Sequence, residues 1–388
     1  MTSQISLASD GMKNTSLFAE LQACNAPAQS AFSLPPRCYW DPEVLALEVE
    51  RIFRNQWIGI GRTSRFERPG DYETHDIAGL PLIVLRDKEN QIRVFANSCR
   101  HRGARLLEGQ GHCRGIRCPF HCWSYALDGR LVGTPHMERA EGFQRADYGL
   151  IEFQAADIGG FLFICLDQQA VDIDRHLGDF AARHADWPLD SLVVSRRRCF
   201  EVGCNWKAFL EVFNEYYHLP FVHPTSIAGV YSPPEAPDVT TGAYASQFGV
   251  TEGTGALLDA QQAYALPPMP DLKGRAATGV RYSWVFPNMT FAAGTDSLWI
   301  YEAYPLDPDR CHVVQSICFH RDTVARPDFE EIAAQYYHRF DAALAEDLPA
   351  LENQHRGLKS PFAQQGRFEP NLEPNVAAFA RWYAERLS

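Results

Sequence analysis

The stretch Cys99-Arg100-His101, answered by Cys118-Pro119-Phe120-His121-Cys122-Trp123-Ser124-Tyr125-Ala126-Leu127-Asp128-Gly129-Arg130-Leu131, decides how this chain is read. Its two arms, C-x-H and C-x2-H, each present one thiol and one imidazole. The second arm passes through aromatic strand residues to Asp128-Gly129, a hairpin turn signal.

Two cofactors accept two Cys and two His. Zinc sites usually keep like ligands together, C-x2-4-C and then H-x3-5-H, whereas here each arm mixes them. A Rieske [2Fe-2S] cluster takes two Cys on one iron and two His on the other, and replacing thiolate by imidazole raises its reduction potential. Cys99, His101, Cys118 and His121 are therefore read as cluster ligands, and the chain as one that moves single electrons. A zinc-binding protein is the competing reading.

At 388 residues the chain has room for two domains and a large buried core. A net charge of −12 disfavours a nucleic-acid surface and fits a soluble protein that meets a redox partner through charged patches. The 11 cysteines are scattered and odd in number, so those outside the motif are expected as reduced core thiols, with Cys122 packing beside a ligand. Residues 1–18 are polar, without a secretory signal, and the longest apolar run, 158–166, is too short to span a membrane as a helix. A cytoplasmic protein without a membrane segment is predicted.

Residues 1–40 read as an N-terminal arm, Ser-, Ala- and Asn-rich and loosely packed, that reaches Pro35-Pro36. Residues 41–170 read as the cluster domain, with a leading helix opened by Asp41-Pro42 and then short β runs from Trp57. Residues 171–388 read as an α+β domain. Its strands are expected at 193–202, 282–291, 298–304 and 313–320, and its helices at 206–219, 328–356 and 373–387.

The segment from Asn205 to Pro224 carries polar groups that core packing would not select. Glu211, Glu215 and His218 fall at i, i+4 and i+7, on one face of the expected helix. Pro220 is expected to stop that helix, letting His223 turn back toward His218. Two His and one carboxylate leave open positions on Fe(II), as in non-haem iron oxygenases. Asp347 is the candidate third ligand, with Glu346 and Glu352 as rivals.

Taken together, these residues resemble the α subunit of the Rieske non-haem iron oxygenases. The likeness covers nearly everything after residue 40: both arms, Asn205-Trp206-Lys207, Glu215-x2-His218-x4-His223, Phe286-Pro287-Asn288, and Glu346-Asp347 through Gln354. It implies an all-β Rieske domain beside a helix-grip, START-like catalytic domain of antiparallel sheet and helices. It also implies His218, His223 and Asp347 as ligands of a mononuclear iron, and a head-to-tail homotrimer in which a carboxylate bridges the metal sites of neighbouring subunits. Glu215 stands at that bridging position where ring-hydroxylating members commonly have Asp. In this it resembles the branch acting on choline, glycine betaine and carnitine.

Such an oxidoreductase uses O2 and electrons from NAD(P)H, and no reductase motif is visible here, so a separate flavin or iron-sulfur reductase is expected. The expected reaction is hydroxylation or oxidative N-demethylation of a quaternary ammonium or methylated amine. Oxygenation or O-demethylation of an aromatic compound, by a monooxygenase or dioxygenase route, is the alternative. An electron carrier without oxygenase activity is the reading from another class. Pocket walls are expected from Phe209, Phe213, Tyr217, Phe221, Trp284, Phe286, Phe291, Trp299, Tyr301 and Tyr304, because aromatic faces attract a quaternary ammonium.

Overall fold

Short β-branched and aromatic runs punctuated by Gly and Asp build the first unit, Phe53–Ala170, in the computed structural model, which describes residues 17–388. Its larger sheet has seven strands in the order β1-β10-β9-β4-β3-β2-β5: β1 (Ile58–Arg62), β2 (Asp71–Ile77), β3 (Leu80–Arg86), β4 (Ile92–Ala96), β5 (Gln110–His112), β9 (Glu152–Ile158) and β10 (Phe161–Cys165). A smaller sheet joins β6 (Ile116–Arg117), β7 (Ser124–Tyr125) and β8 (Leu131–Gly133). The Asp128-Gly129 turn links β7 to β8. Gly129 sits at φ +82°, where a Cβ would strike the Phe95 ring, so both backbone and space demand glycine.

The second unit holds a six-stranded antiparallel sheet, ordered β11-β16-β15-β14-β13-β12. Its strands are β11 (Leu192–Val202), β12 (Tyr244–Val250), β13 (Gly279–Val285), β14 (Met289–Ala293), β15 (Ser297–Asp307) and β16 (Arg310–His320). The single strand expected at 282–291 is a hairpin: β13 and β14 pair antiparallel across the turn at Phe286-Pro287-Asn288. A 30-residue helix, Phe329–Leu358, packs on this sheet through Phe340 against Trp299 and Tyr336 against Phe319. The C-terminal helix, Pro374–Leu387, stacks Phe379 on Trp284 at 4.0 Å. Among the described residues, no helix is long and apolar enough to cross a membrane.

The N-terminal region differs from its reading. Residues 17–40 are packed, with Leu17, Leu21 and Cys24 fully buried and Phe32 bridged to Arg367. The i, i+4, i+7 spacing of those three apolar residues outweighs the polar composition around them. The part of the expected arm in residues 1–16 lies outside the described residues.

The leading helix, Pro42–Glu48, is capped by the Asp41 carboxylate as expected, yet it groups with the C-terminal unit and not with the cluster domain. Glu48 explains this. Fully buried, it accepts from Lys207 Nζ at 2.5 Å, Trp206 Nε1 at 2.8 Å and Tyr383 Oη at 2.5 Å. A buried charge is tolerated only with such partners, and all three stand on helices of the second unit.

The expected helix at 206–219 also stops early. Asn205 caps its start, and it spans Trp206–Phe213. Asn214 then donates to the Leu210 carbonyl at 2.7 Å, Thr290 Oγ1 donates to its Oδ1, and Tyr216 N turns to the Leu372 carbonyl. With its side chain engaged by β14, Asn214 leaves the helical path, so Glu211 and His218 share no helix face. Pro220 lies in the first turn of a new one-turn helix, Leu219–Val222, where its missing N–H costs nothing, and so it starts a helix where it was expected to end one.

Candidate functional site

In the first unit, the arm after β4 is tightened by Gly103 N donating to the Cys99 carbonyl and Cys99 N to that of Ala104, both at 2.8 Å. The arm after β6 is tightened by Cys118 N donating to the Trp123 carbonyl and Cys122 N to that of Cys118. These turns bury Cys99 and Cys118 and bring the His101 and His121 rings to 4.7 Å, with His101 stacked on Trp123. His101 Nδ1 is buried with no hydrogen-bond partner. Burial, with His121 and Arg102 adding, holds its imidazole below the ordinary range and favours the neutral form that binds metal.

Tyr125 Oη lies 3.3 Å from Cys99 Sγ and accepts from Arg100 N. Two thiols on one side and two imidazoles on the other suit a [2Fe-2S] cluster. Cys122 adopts φ +58° and takes a contact from Arg117 at 3.1 Å. All 11 cysteines are free thiols.

In the second unit, His218 and His223 bracket the one-turn helix, their ring centroids 5.1 Å apart. The long helix supplies Asp347, whose Oδ1 lies 2.9 Å from His223 Nε2 and 3.7 Å from His218 Nε2. The ligand atoms of all three lie within 4.8 Å of one another. Asp347 Oδ1 is buried without a hydrogen bond, so the group converges without satisfying itself, as metal donors do.

Each imidazole has a second carboxylate behind it. Glu215 Oε1 lies 2.5 Å from His218 Nδ1, and Glu346 Oε2 lies 2.6 Å from His223 Nδ1 and accepts from Ser226 Oγ. If each Nδ1–H donates to its carboxylate, both Nε2 lone pairs are left facing Asp347, the arrangement of carboxylate–histidine–metal sites. Glu346 therefore sits behind a ligand, while Glu352 reaches toward Gly203. Two His and one carboxylate fit a mononuclear iron with open positions.

A cavity opens beside the three residues. Of the expected wall residues, Phe213, Trp299 and Tyr301 line it. Phe209 stands behind Tyr301, Trp284 and Phe286 pack on Phe379, and Phe291 packs on Phe180 and His184. Tyr217 and Phe221 are exposed, and Tyr304 donates to Glu302. Glu211 is likewise elsewhere, buried and accepting from Tyr39 Oη at 2.6 Å.

The lining adds Tyr216, Tyr282 and Arg339, which the sequence reading missed. Burial raises the Tyr216 and Tyr282 hydroxyls well above the ordinary range and that of Tyr301 to about 12, so all three stay neutral donors. A signal for Arg339 existed: with Ala343 and Asp347 it repeats every fourth residue along one helix face.

A family model for the Rieske [2Fe-2S] domain matches residues 56–147, and one for the ring hydroxylating alpha subunit (catalytic domain) matches 179–388. A glycine betaine monooxygenase oxygenase subunit from Chromohalobacter salexigens is 28% identical, spanning 92% of this chain and 86% of the relative. A carnitine monooxygenase oxygenase subunit from Acinetobacter baumannii is 27% identical over 87% and 88% of the two chains. Among solved structures, the quaternary ammonium Rieske monooxygenase CntA in complex with γ-butyrobetaine aligns with a TM-score of 0.78 at 25% identity, covering 95% of this chain and 99% of that one.

Proposed function

Because the chain belongs to the family of ring-hydroxylating oxygenase α subunits with a Rieske [2Fe-2S] domain, we propose that it is the oxygenase component of a quaternary-ammonium monooxygenase. The observation that carries this reading is the convergence of His218, His223 and Asp347 on the wall of an aromatic-lined cavity. The relatives named for glycine betaine and carnitine supply the substrate class.

In this reading Cys99 and Cys118 hold one iron of the cluster and His101 and His121 the other, while His218, His223 and Asp347 hold the mononuclear iron. When bound, these groups supply single-electron transfer and O2 activation, fed from NAD(P)H by a separate reductase. Glu215 and Glu346 fix the tautomers of His218 and His223. Glu215 is also assigned as the electron-transfer bridge between sites of neighbouring subunits in a cytoplasmic homotrimer. Its carboxylate accepts from His218 N and Tyr217 N as well as facing the imidazole, so it is held in place.

The neutral faces of Phe213, Tyr216 and Tyr301 attract a methylated ammonium, each contact worth about 0.5–2 kcal/mol. Apolar walls around the cavity limit water beside the reacting carbon. Hydroxylating a methyl group on nitrogen gives a carbinol that releases formaldehyde and leaves the demethylated amine.

The test is a substrate panel with a surrogate reductase, following NADH oxidation, formaldehyde and product mass. Glycine betaine, carnitine, choline, methylated amines and aromatic acids belong in it. Formaldehyde release from a quaternary amine is the expected outcome. Turnover of aromatic acids alone would reject the substrate class, and zinc without acid-labile sulfide would reject the cluster.

A further inference from the structure

Arg339 stands out among the buried cations of the second unit. It is 5% exposed, lines the cavity, and forms no ion pair with any described residue. One Nη donates to Tyr231 Oη at 3.1 Å, while Nε is buried without a partner. Its remaining neighbours are ring faces, Trp299 at 5.5 Å and Phe340 at 4.9 Å. Arg281, which is 4% exposed on β13, shows the usual solution: it pairs with the Asp238 carboxylate.

A guanidinium carries five donors and cannot shed its charge, so burying it beside one phenol and two rings leaves donors unmatched. The nearest acids in the cavity face the histidines, Glu215 at His218 Nδ1 and Asp347 at the two Nε2 atoms. Arg339 sits eight helix residues before Asp347, about 12 Å along the axis, and so marks a separate end of the same cavity. Tyr282 and Tyr231, whose hydroxyls lie 2.7 Å apart, add polar groups near that end.

We infer that Arg339 is the specificity-determining residue of this cavity: its guanidinium receives a carboxylate of the substrate, selecting ammonium acids over ammonium alcohols of the choline type. This rests on the quaternary-ammonium reading above. A carboxylate completes the fork that the protein leaves open, and the substrate's ammonium is then directed toward the aromatic faces and away from Arg339. A choline-type cation has no anion to offer and meets a like charge.

The experiment is calorimetric binding to the metal-loaded, full-length protein. The probes are glycine betaine, carnitine and γ-butyrobetaine, their methyl esters, and choline. The wild type should bind the acids roughly 10- to 100-fold tighter than the esters, the range for a charge-assisted hydrogen bond. Arg339→Met should bring that ratio toward unity by weakening the acids and relieving the like charge that the cationic esters meet, and Arg339→Lys should restore part of it. In turnover the loss should appear mainly in KM for the acids.

Equal binding of acid and ester by the wild type, or an unchanged ratio in Arg339→Met, overturns the inference. The wild-type comparison decides alone should the Met variant fail to fold. Turnover of quaternary amines with no acid preference would reject the role of Arg339 and keep the substrate class. An Arg339-dependent preference for aromatic acids, without quaternary-amine turnover, would do the reverse.

Discussion

The cysteine–histidine set and the histidine–aspartate set solve the same problem, converging donors, with different amounts of chain. The first is complete between Cys99 and His121, on two tight loops, one after β4 of the seven-stranded sheet and one after β6 of the three-stranded sheet. The second takes His218 and His223 from either end of a one-turn helix and Asp347 from within a 30-residue helix, with His223 and its supporting Glu346 123 positions apart. The support differs as well. Behind the first set stand neutral groups, Tyr125 at the Cys99 sulfur and Trp123 on the His101 ring. Behind each imidazole of the second stands a carboxylate. A local motif fixes loop geometry by itself, whereas a set assembled across the fold needs each ligand held by another residue.

The largest expected effect tests the independence of the two sets. Asp347→Ala should lose the mononuclear iron and drop turnover by orders of magnitude while retaining cluster absorption and acid-labile sulfide. Cys118→Ala should do the opposite to the metals, losing sulfide and keeping the mononuclear iron. Full iron retention in Asp347→Ala would transfer the third-ligand role to Glu346. Loss of both metal types in either variant would break the comparison by showing that the sets fold as one.

Next comes the support behind His218. Glu215→Gln should keep both metals and lower turnover about 10- to 100-fold, the usual cost of removing a carboxylate behind a ligand. Single-turnover oxidation of the reduced cluster should slow in parallel. Unchanged turnover would remove Glu215 from any bridging role.

A smaller, sharper contrast lies along the long helix. Glu346→Ala should weaken iron binding by about tenfold, because the His223 ring loses its anchor, measurable by competition with a chelator. Glu352→Ala should leave iron affinity unchanged, since that carboxylate faces Gly203. Equal effects would mean that helix charge, and not the His223 contact, sets the affinity.

These contrasts show what spacing in a sequence encodes. The C-x-H and C-x2-H arms are legible because ligand spacing and loop geometry are the same local fact. Asp41-Pro42 and Asp128-Gly129 were legible for the same reason, as backbone chemistry within a few residues. Helical periodicity found the long helix, and it extended the helix begun at Trp206 too far because its end depends on Asn214 meeting Thr290 on a distant strand. The aromatic walls were half legible: strand alternation puts Tyr282 and Trp284 on one face, but only packing decides that Tyr282 meets the cavity while Trp284 meets Phe379. Arg339 shares its helix face with Asp347 in the sequence, and the sheet facing that helix decides that this face borders the cavity.

The smallest effect separates Glu211 from Glu215, two carboxylates that periodicity placed on one face. Glu211 lies before the helix break, where burial raises its carboxyl to about 7 despite the Tyr39 hydrogen bond and Lys207. A folded-state pKa above the unfolded value means the native protein binds this proton more tightly, so its contribution is full below about pH 4.5 and is lost as pH rises through 7. Glu211→Gln keeps an acceptor for Tyr39 and cannot ionise. It should match the wild type near pH 5 and exceed it at pH 8 by on the order of 1–3 kcal/mol, read from denaturant unfolding at the two pH values. Its iron content and turnover should stay unchanged, in contrast to Glu215→Gln. An identical pH profile in variant and wild type would mean that Glu211 is ionised in the native state, and a loss of iron would put it back beside His218.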